Sequence, residues 1–138
     1  MAEKTKDTLF IDMKYVILYR KLGYDEIAPD VFVHHYSDIT LTIYSEEQRF
    51  EYLGNSYPLL AYKDFAILEC VDRLLKKGYS AKVIVLNDSD YDLAIRKPNG
   101  ELYMGIFAEG WGKNYRSLLT EYKRKSRSNE CLYTSQLS

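Results

Sequence analysis

An α+β fold is predicted for this 138-residue chain on three observations. Residues 8–60 hold short apolar and β-branched runs separated by turn signals, which reads as an N-terminal antiparallel β-meander. At Tyr62 the apolar spacing lengthens to that of a helix. Further on, Asn99-Gly100 separates two apolar arms, the strongest short signal for a hairpin because both positions tolerate φ > 0. The length suits a single domain, residues 1–138, large enough to bury a core without staples. Within it, 8–60 is the β-rich part and 62–125 the part with helices.

The elements follow in order. "FIDMKYVILYR" (Phe10–Arg20) is rich in β-branched and aromatic residues and predicts a strand. "DVFVHHY" predicts a second. In "DITLTIYS", Ile39, Leu41 and Ile43 alternate with Asp38, Thr40 and Thr42, a strand with one buried face. "RFEYLGNSYPLL" carries a Gly54-Asn55 turn signal between apolar arms. "YKDFAILECVDRLLKKGY" places Ile67, Val71, Leu74 and Leu75, flanked by Phe65 and Leu68, on a broad stripe at helical spacing. Gly78 supplies the stop, with Lys76 and Lys77 in the last turn, where the helix dipole favours cations. "AKVIVLN" predicts a short strand. A three-strand mixed segment is completed by the Asn-Gly hairpin, and "NYRSLLTEYKRK" predicts a C-terminal helix with Tyr115, Leu118, Leu119 and Tyr122 on one side. The tail "NECLYTSQLS" has no closing signal, so the chain is expected to continue into something longer.

Composition narrows the function classes. No apolar run reaches the roughly 20 residues that span a bilayer, and "MAEKTKD" has no apolar leader segment. Cys70 and Cys131 make neither a disulfide framework nor a metal knuckle. A cytoplasmic protein with no membrane partner is expected. Net charge is −1, so the whole molecule does not attract nucleic acid. The segment from Lys113 to Arg127, "KNYRSLLTEYKRKSR", nevertheless sets six basic side chains against the single acid Glu121. Lys113, Arg116, Lys123 and Arg124 are therefore candidate phosphate contacts, or else a solvated helix end.

The hairpin "SDYDLAIRKPNGELYMGIFAEGWGK" carries the chemistry. A two-residue turn pairs Leu93 with Ile106 and Ile95 with Met104 on the core face. The other face then has Ala94 opposite Gly105, Arg96 opposite Tyr103, Asp92 opposite Phe107 and Asp90 opposite Glu109. Opposed carboxylates destabilise a sheet. Exposure at a frayed end offsets that, and so does a bound divalent cation, since hard cations such as Mg²⁺ take carboxylate oxygens.

The order of helix with glutamate, "GY", apolar strand, "DLAI", "PNGELY", strand and "NYRSLLTEY" resembles the restriction-endonuclease-like, PD-(D/E)xK, nuclease core. It is most similar to the version at the N-terminus of type I restriction motor subunits, and the resemblance covers residues 62–125. It implies a helix acid, an acid at the start of the second strand, and an E-x-K on the third. Together these would hold Mg²⁺ for phosphodiester hydrolysis. Carried over, Glu69 is the helix acid and Asp92 the strand acid. The E-x-K position instead reads Phe107-Ala108-Glu109. Either Glu109 is a displaced metal ligand with Lys113 supplying the cation, or the site has lost catalysis. Glu69 also stands four residues before Arg73, the spacing of an ordinary helix-surface pair.

Remaining candidates are weaker. His34 and His35 cannot face the same way in a strand, and no Gly-rich phosphate loop occurs. Trp111, between two glycines, and Tyr103 are candidate interface residues for a protein partner or homodimer. The favoured function is a non-catalytic, nucleic-acid-associated or protein-interaction module on a nuclease-like scaffold. The alternatives are an active Mg²⁺-dependent nuclease and a small-ligand regulator using the Tyr103/Arg96/Trp111 surface.

Overall fold

The computed structural model describes residues 16–109 and 129–135. The chain forms two compact units, the first ending at Leu59 and the second starting at Leu60.

The first unit is a five-stranded antiparallel sheet in chain order. Its strands are β1 (Asp25–Ala28), β2 (Val31–His35), β3 (Thr40–Tyr44), β4 (Arg49–Tyr52) and β5 (Asn55–Pro58). Register aligns Phe32, Ile43, Phe50 and Tyr57 in one row across four strands. Phe32, Ile43 and Phe50 in that row are fully buried. The expected alternation in β3 is present, with Leu41 and Ile43 buried between less buried threonines.

The strand expected at Phe10–Arg20 is not formed where the chain is described, because 16–21 is helical (α1). Burial gives the reason. Leu18, Tyr19 and Leu22 are buried, whereas Ile17 is over half exposed, a spacing of one, three and four that belongs to a helix. Tyr19 then packs its ring 5.6 Å from that of Phe32. Composition suggested a strand, but the pattern of burial is helical.

The β4–β5 turn also differs. Tyr52 pairs with Asn55, so the turn residues are Leu53 and Gly54, at φ of 49° and 79°. Two consecutive positive φ values match the twist of the flanking strands. Leucine is poorly suited to that region, and this one is 51% exposed. Leu53→Asn is expected to raise stability by about 0.5–1 kcal/mol, by relieving that conformation. The check is a higher urea midpoint at unchanged slope.

The second unit begins with helix α2 (Tyr62–Lys76). Asp64 accepts from the backbone N–H groups of Leu60 and Ala61 at 2.9 and 3.0 Å, satisfying donors the helix start leaves open. At the other end Gly78, at φ 105°, lets its N–H reach Leu75 and that of Tyr79 reach Leu74. This paired closure of the last turn needs a left-handed residue there. The helix is followed by a 3₁₀ turn (Ala81–Val83) and by β6 (Ile84–Leu86), β7 (Leu93–Arg96), β8 (Leu102–Glu109) and β9 (Glu130–Thr134). These four strands form one sheet in that order. β6, β7 and β8 pair antiparallel, and β9 runs parallel to β8. The tail read as unclosed therefore supplies a fourth strand.

The expected register of Leu93, Ala94 and Ile95 with Ile106, Gly105 and Met104 is present. The turn is not the expected two-residue one. Gly100 N–H bonds Lys97 C=O at 2.8 Å, with Asn99 absent from the positive-φ residues and Gly100 at φ 90°. That is a three-residue loop: Pro98 presets the first turn position and Gly100 makes the bulge. The bulge shifts Arg96 opposite Leu102 rather than Tyr103. The C-terminal helix expected from "NYRSLLTEYKRK" lies outside the described residues.

Candidate functional site

Glu69, on the sheet-facing side of α2, is 0% exposed. Glutamate is almost never found so deep unless paired. Its partners come from β9 and the residue just after it: Tyr133 donates its hydroxyl to Oε2, and Ser135 donates to Oε1 at 3.4 Å. Burial first, and then the bond to Glu69, push the Tyr133 phenol well above its ordinary range. Glu69 is thus not the helix-surface residue that the i, i+4 spacing with Arg73 suggested, and Arg73 also bonds the Tyr133 hydroxyl.

Asp92 stands just before β7. Its Oδ2 accepts from Ala108 N–H at 2.9 Å and its Oδ1 holds the Lys63 ammonium at 3.0 Å. The carboxylate takes a donor that a longer β7 would have met with a carbonyl, and so ends the ladder. Lys63, in the first turn of α2, had no signal marking it in the sequence. Nothing local pairs residues 29 positions apart.

Glu109 ends β8. It pairs with Thr134, while Ala108 pairs with Tyr133. Tyr133 reaches α2, and side chains alternate sides along a strand. Glu109 therefore lies on the sheet face away from Glu69. Asp90, expected opposite Glu109, is instead an exposed turn residue whose N–H bonds Asp88 at 3.1 Å.

The three acids thus do not share one shell. Glu69 is consumed by two hydroxyls, Asp92 by an ammonium and an amide, and Glu109 points elsewhere. These residues do not fit the expected Mg²⁺ site, and among the described residues no three His, Cys, Asp or Glu side chains are placed to hold a metal. Lys113, Arg116, Lys123, Arg124 and Trp111 lie outside the described residues.

The remaining candidates resolve separately. Arg96 is fully committed: Nε and Nη2 reach Asp88 at 2.8 and 3.1 Å, and Nη1 reaches Gly100 C=O at 3.0 Å. It offers no free fork to a small ligand. Tyr103 is 51% exposed. His34 stacks on Tyr36 at 4.1 Å, and His35 bonds Thr40 at 2.8 Å. Burial pushes the Cys70 thiol up to about 12, unsuited to a nucleophile at neutral pH. Among the described residues no helix is long and apolar enough to cross a membrane.

The Asp88–Arg96 pair has a pH signature. Chiefly the Arg96 hydrogen bond lowers the Asp88 pKa from its ordinary 3.8. A depressed folded-state pKa stabilises the protein above the unfolded value, and that contribution is lost as pH falls through the folded value. With the Asp88 side chain only 5% exposed, Arg96→Gln is expected to cost about 1.5 kcal/mol at pH 7. Urea titrations at stepped pH should show the gap from the parent closing on the acid side. A gap constant down to pH 2 would contradict the pairing.

The chain is thus an α+β protein with one antiparallel and one mixed sheet. Comparison with protein-family models, curated protein sequences and solved structures finds no match.

Proposed function

We propose that the protein is a non-catalytic nucleic-acid-binding module whose second unit is built on a restriction-endonuclease-like scaffold. The order helix, strand, Asp-bearing strand, hairpin and strand supports that kinship. The observation that carries the loss of catalysis is the state of Glu69. A metal-binding acid must present lone pairs to a cation, and this one is sealed under β9 with both oxygens engaged. Asp92 keeps a structural duty in place of a catalytic one, closing the β7–β8 ladder against Lys63.

The deciding experiment incubates the protein with single- and double-stranded DNA and RNA in Mg²⁺, Mn²⁺ or EDTA, beside Asp92→Ala. Salt-sensitive binding without strand cleavage is expected under every condition. Metal-dependent cutting abolished in Asp92→Ala would establish the nuclease instead. Absence of binding to all four substrates would remove nucleic acid as the partner.

A further inference from the structure

The charges of α2 look balanced in sequence: Lys63, Arg73 and Lys76 against Asp64, Glu69 and Asp72. Folding unbalances them. Glu69 and Asp72 are both 0% exposed, although Asp72 still holds the Lys76 ammonium at 3.0 Å, and Asp64 is spent on the helix start. Lys77 and Lys82 are the cations that folding leaves least offset. The cations of the last turn and beyond, Arg73, Lys76, Lys77 and Lys82, are all exposed. From Arg73 to Asn87 the chain contains no acid.

Topology gathers a fifth cation. Ile84 pairs with Ile95 in the antiparallel β6–β7 ladder, so Lys82 and Lys97 stand two residues beyond the same rung, at the same end of the sheet. The exposed acid there is Glu101, 3.5 Å from Lys97. Asp90 and Asp92 belong to the opposite end, where β6 turns into β7, while the Asp88 side chain reaches back to pair with Arg96. The negative end of the helix dipole does not cancel the basic end, because the Leu74 and Leu75 carbonyls are already bonded by Tyr79 and Gly78.

We infer that this basic end, formed by Arg73, Lys76, Lys77, Lys82 and Lys97, is the surface that takes the nucleic-acid backbone. The inference rests on the binding reading above and assigns its location. Four of the five cations are lysines, flexible point charges that suit sequence-independent phosphate contact. Half-buried Tyr79, between Lys77 and Lys82, supplies an aromatic face for a base. A lipid surface is the poorer fit. Among the described residues, the large apolar side chains exposed on this unit are Leu60, Tyr62 and Tyr103, and the first two stand at the far end of α2.

The experiment measures anisotropy of a fluorescein-labelled 20-nucleotide strand and its duplex across a salt series. It compares the wild type, Lys77→Glu/Lys82→Glu, and Lys21→Glu, an exposed lysine of the first unit. The double reversal is expected to lower affinity at least about tenfold and flatten the log–log salt slope by about 1.4–1.8, two phosphate contacts' worth. Lys21→Glu should change neither. Circular dichroism melts verify folding, and Lys77→Gln/Lys82→Gln replaces the reversal if it melts early. Wild-type binding unchanged by either double variant would overturn the assigned surface and leave the binding reading standing. No wild-type binding to strand or duplex would overturn both. Charge-dependent binding to anionic vesicles alone would transfer the surface to lipid and overturn the inference.

Discussion

Glu69→Ala is expected to destabilise the protein by about 3–5 kcal/mol, the combined range for emptying a fully enclosed side-chain site and leaving its hydroxyl donors unmet. The substitution strips the half-buried Tyr133 and buried Ser135 hydroxyls of this acceptor and leaves a void where a fully enclosed side chain stood. Unmet donors and lost packing each contribute. Glu69→Gln keeps an acceptor oxygen for Tyr133 and should cost far less, about 1 kcal/mol. Glu69→Leu with Tyr133→Phe removes both polar partners and should recover much of the alanine loss. Urea unfolding followed by circular dichroism reads all three. A Glu69→Ala variant within about 1 kcal/mol of the parent would mean the glutamate is not the sealed structural group described above.

Gly105→Ala is expected to cost about 1–3 kcal/mol, the penalty for overfilling a packed site. In an ordinary strand the same change is favourable by about 0.5–1 kcal/mol, because glycine loses more freedom on folding. Here an added Cβ would stand 2.3 Å from Cε1 of Tyr91. That ring cannot easily withdraw: its hydroxyl donates to Glu130 at 2.8 Å, and it tilts against Phe107 at 5.2 Å. With Tyr91→Ala already present, the alanine at 105 should turn neutral or stabilising. A double-mutant cycle therefore reads a change of sign. Equal effects in both backgrounds would show that the ring and the glycine are not coupled.

Legibility followed the range of the interactions involved. The alternation of Leu41 and Ile43, the stripe of α2 and the Leu93–Ile106 register were readable because near neighbours and a short turn specify them. At Leu53-Gly54 and at Gly100 the turn geometry was set by left-handed backbone angles, and the shift of a residue followed. In α1 composition misled, because β-branched side chains enter a helix when burial repeats at the right spacing. The site was least readable. Glu69 was named as the helix acid of the resemblance, but its hydroxyl partners come from the end of the tail, which carried no signal of a strand. Lys63 meets Asp92 only through the fold. Glu109 was assigned by a hairpin extended beyond its real end, and its neighbour is Thr134 of a parallel strand.

The bond between Tyr133 and Glu69 spans 64 positions. At about 5–20 residues per second on the ribosome, some 3–13 seconds separate the two syntheses. Throughout that interval the nascent helix carries an ionisable group amid the apolar side chains it will later hide. Until β9 is made, that carboxylate has neither of the two hydroxyls that meet it in the fold.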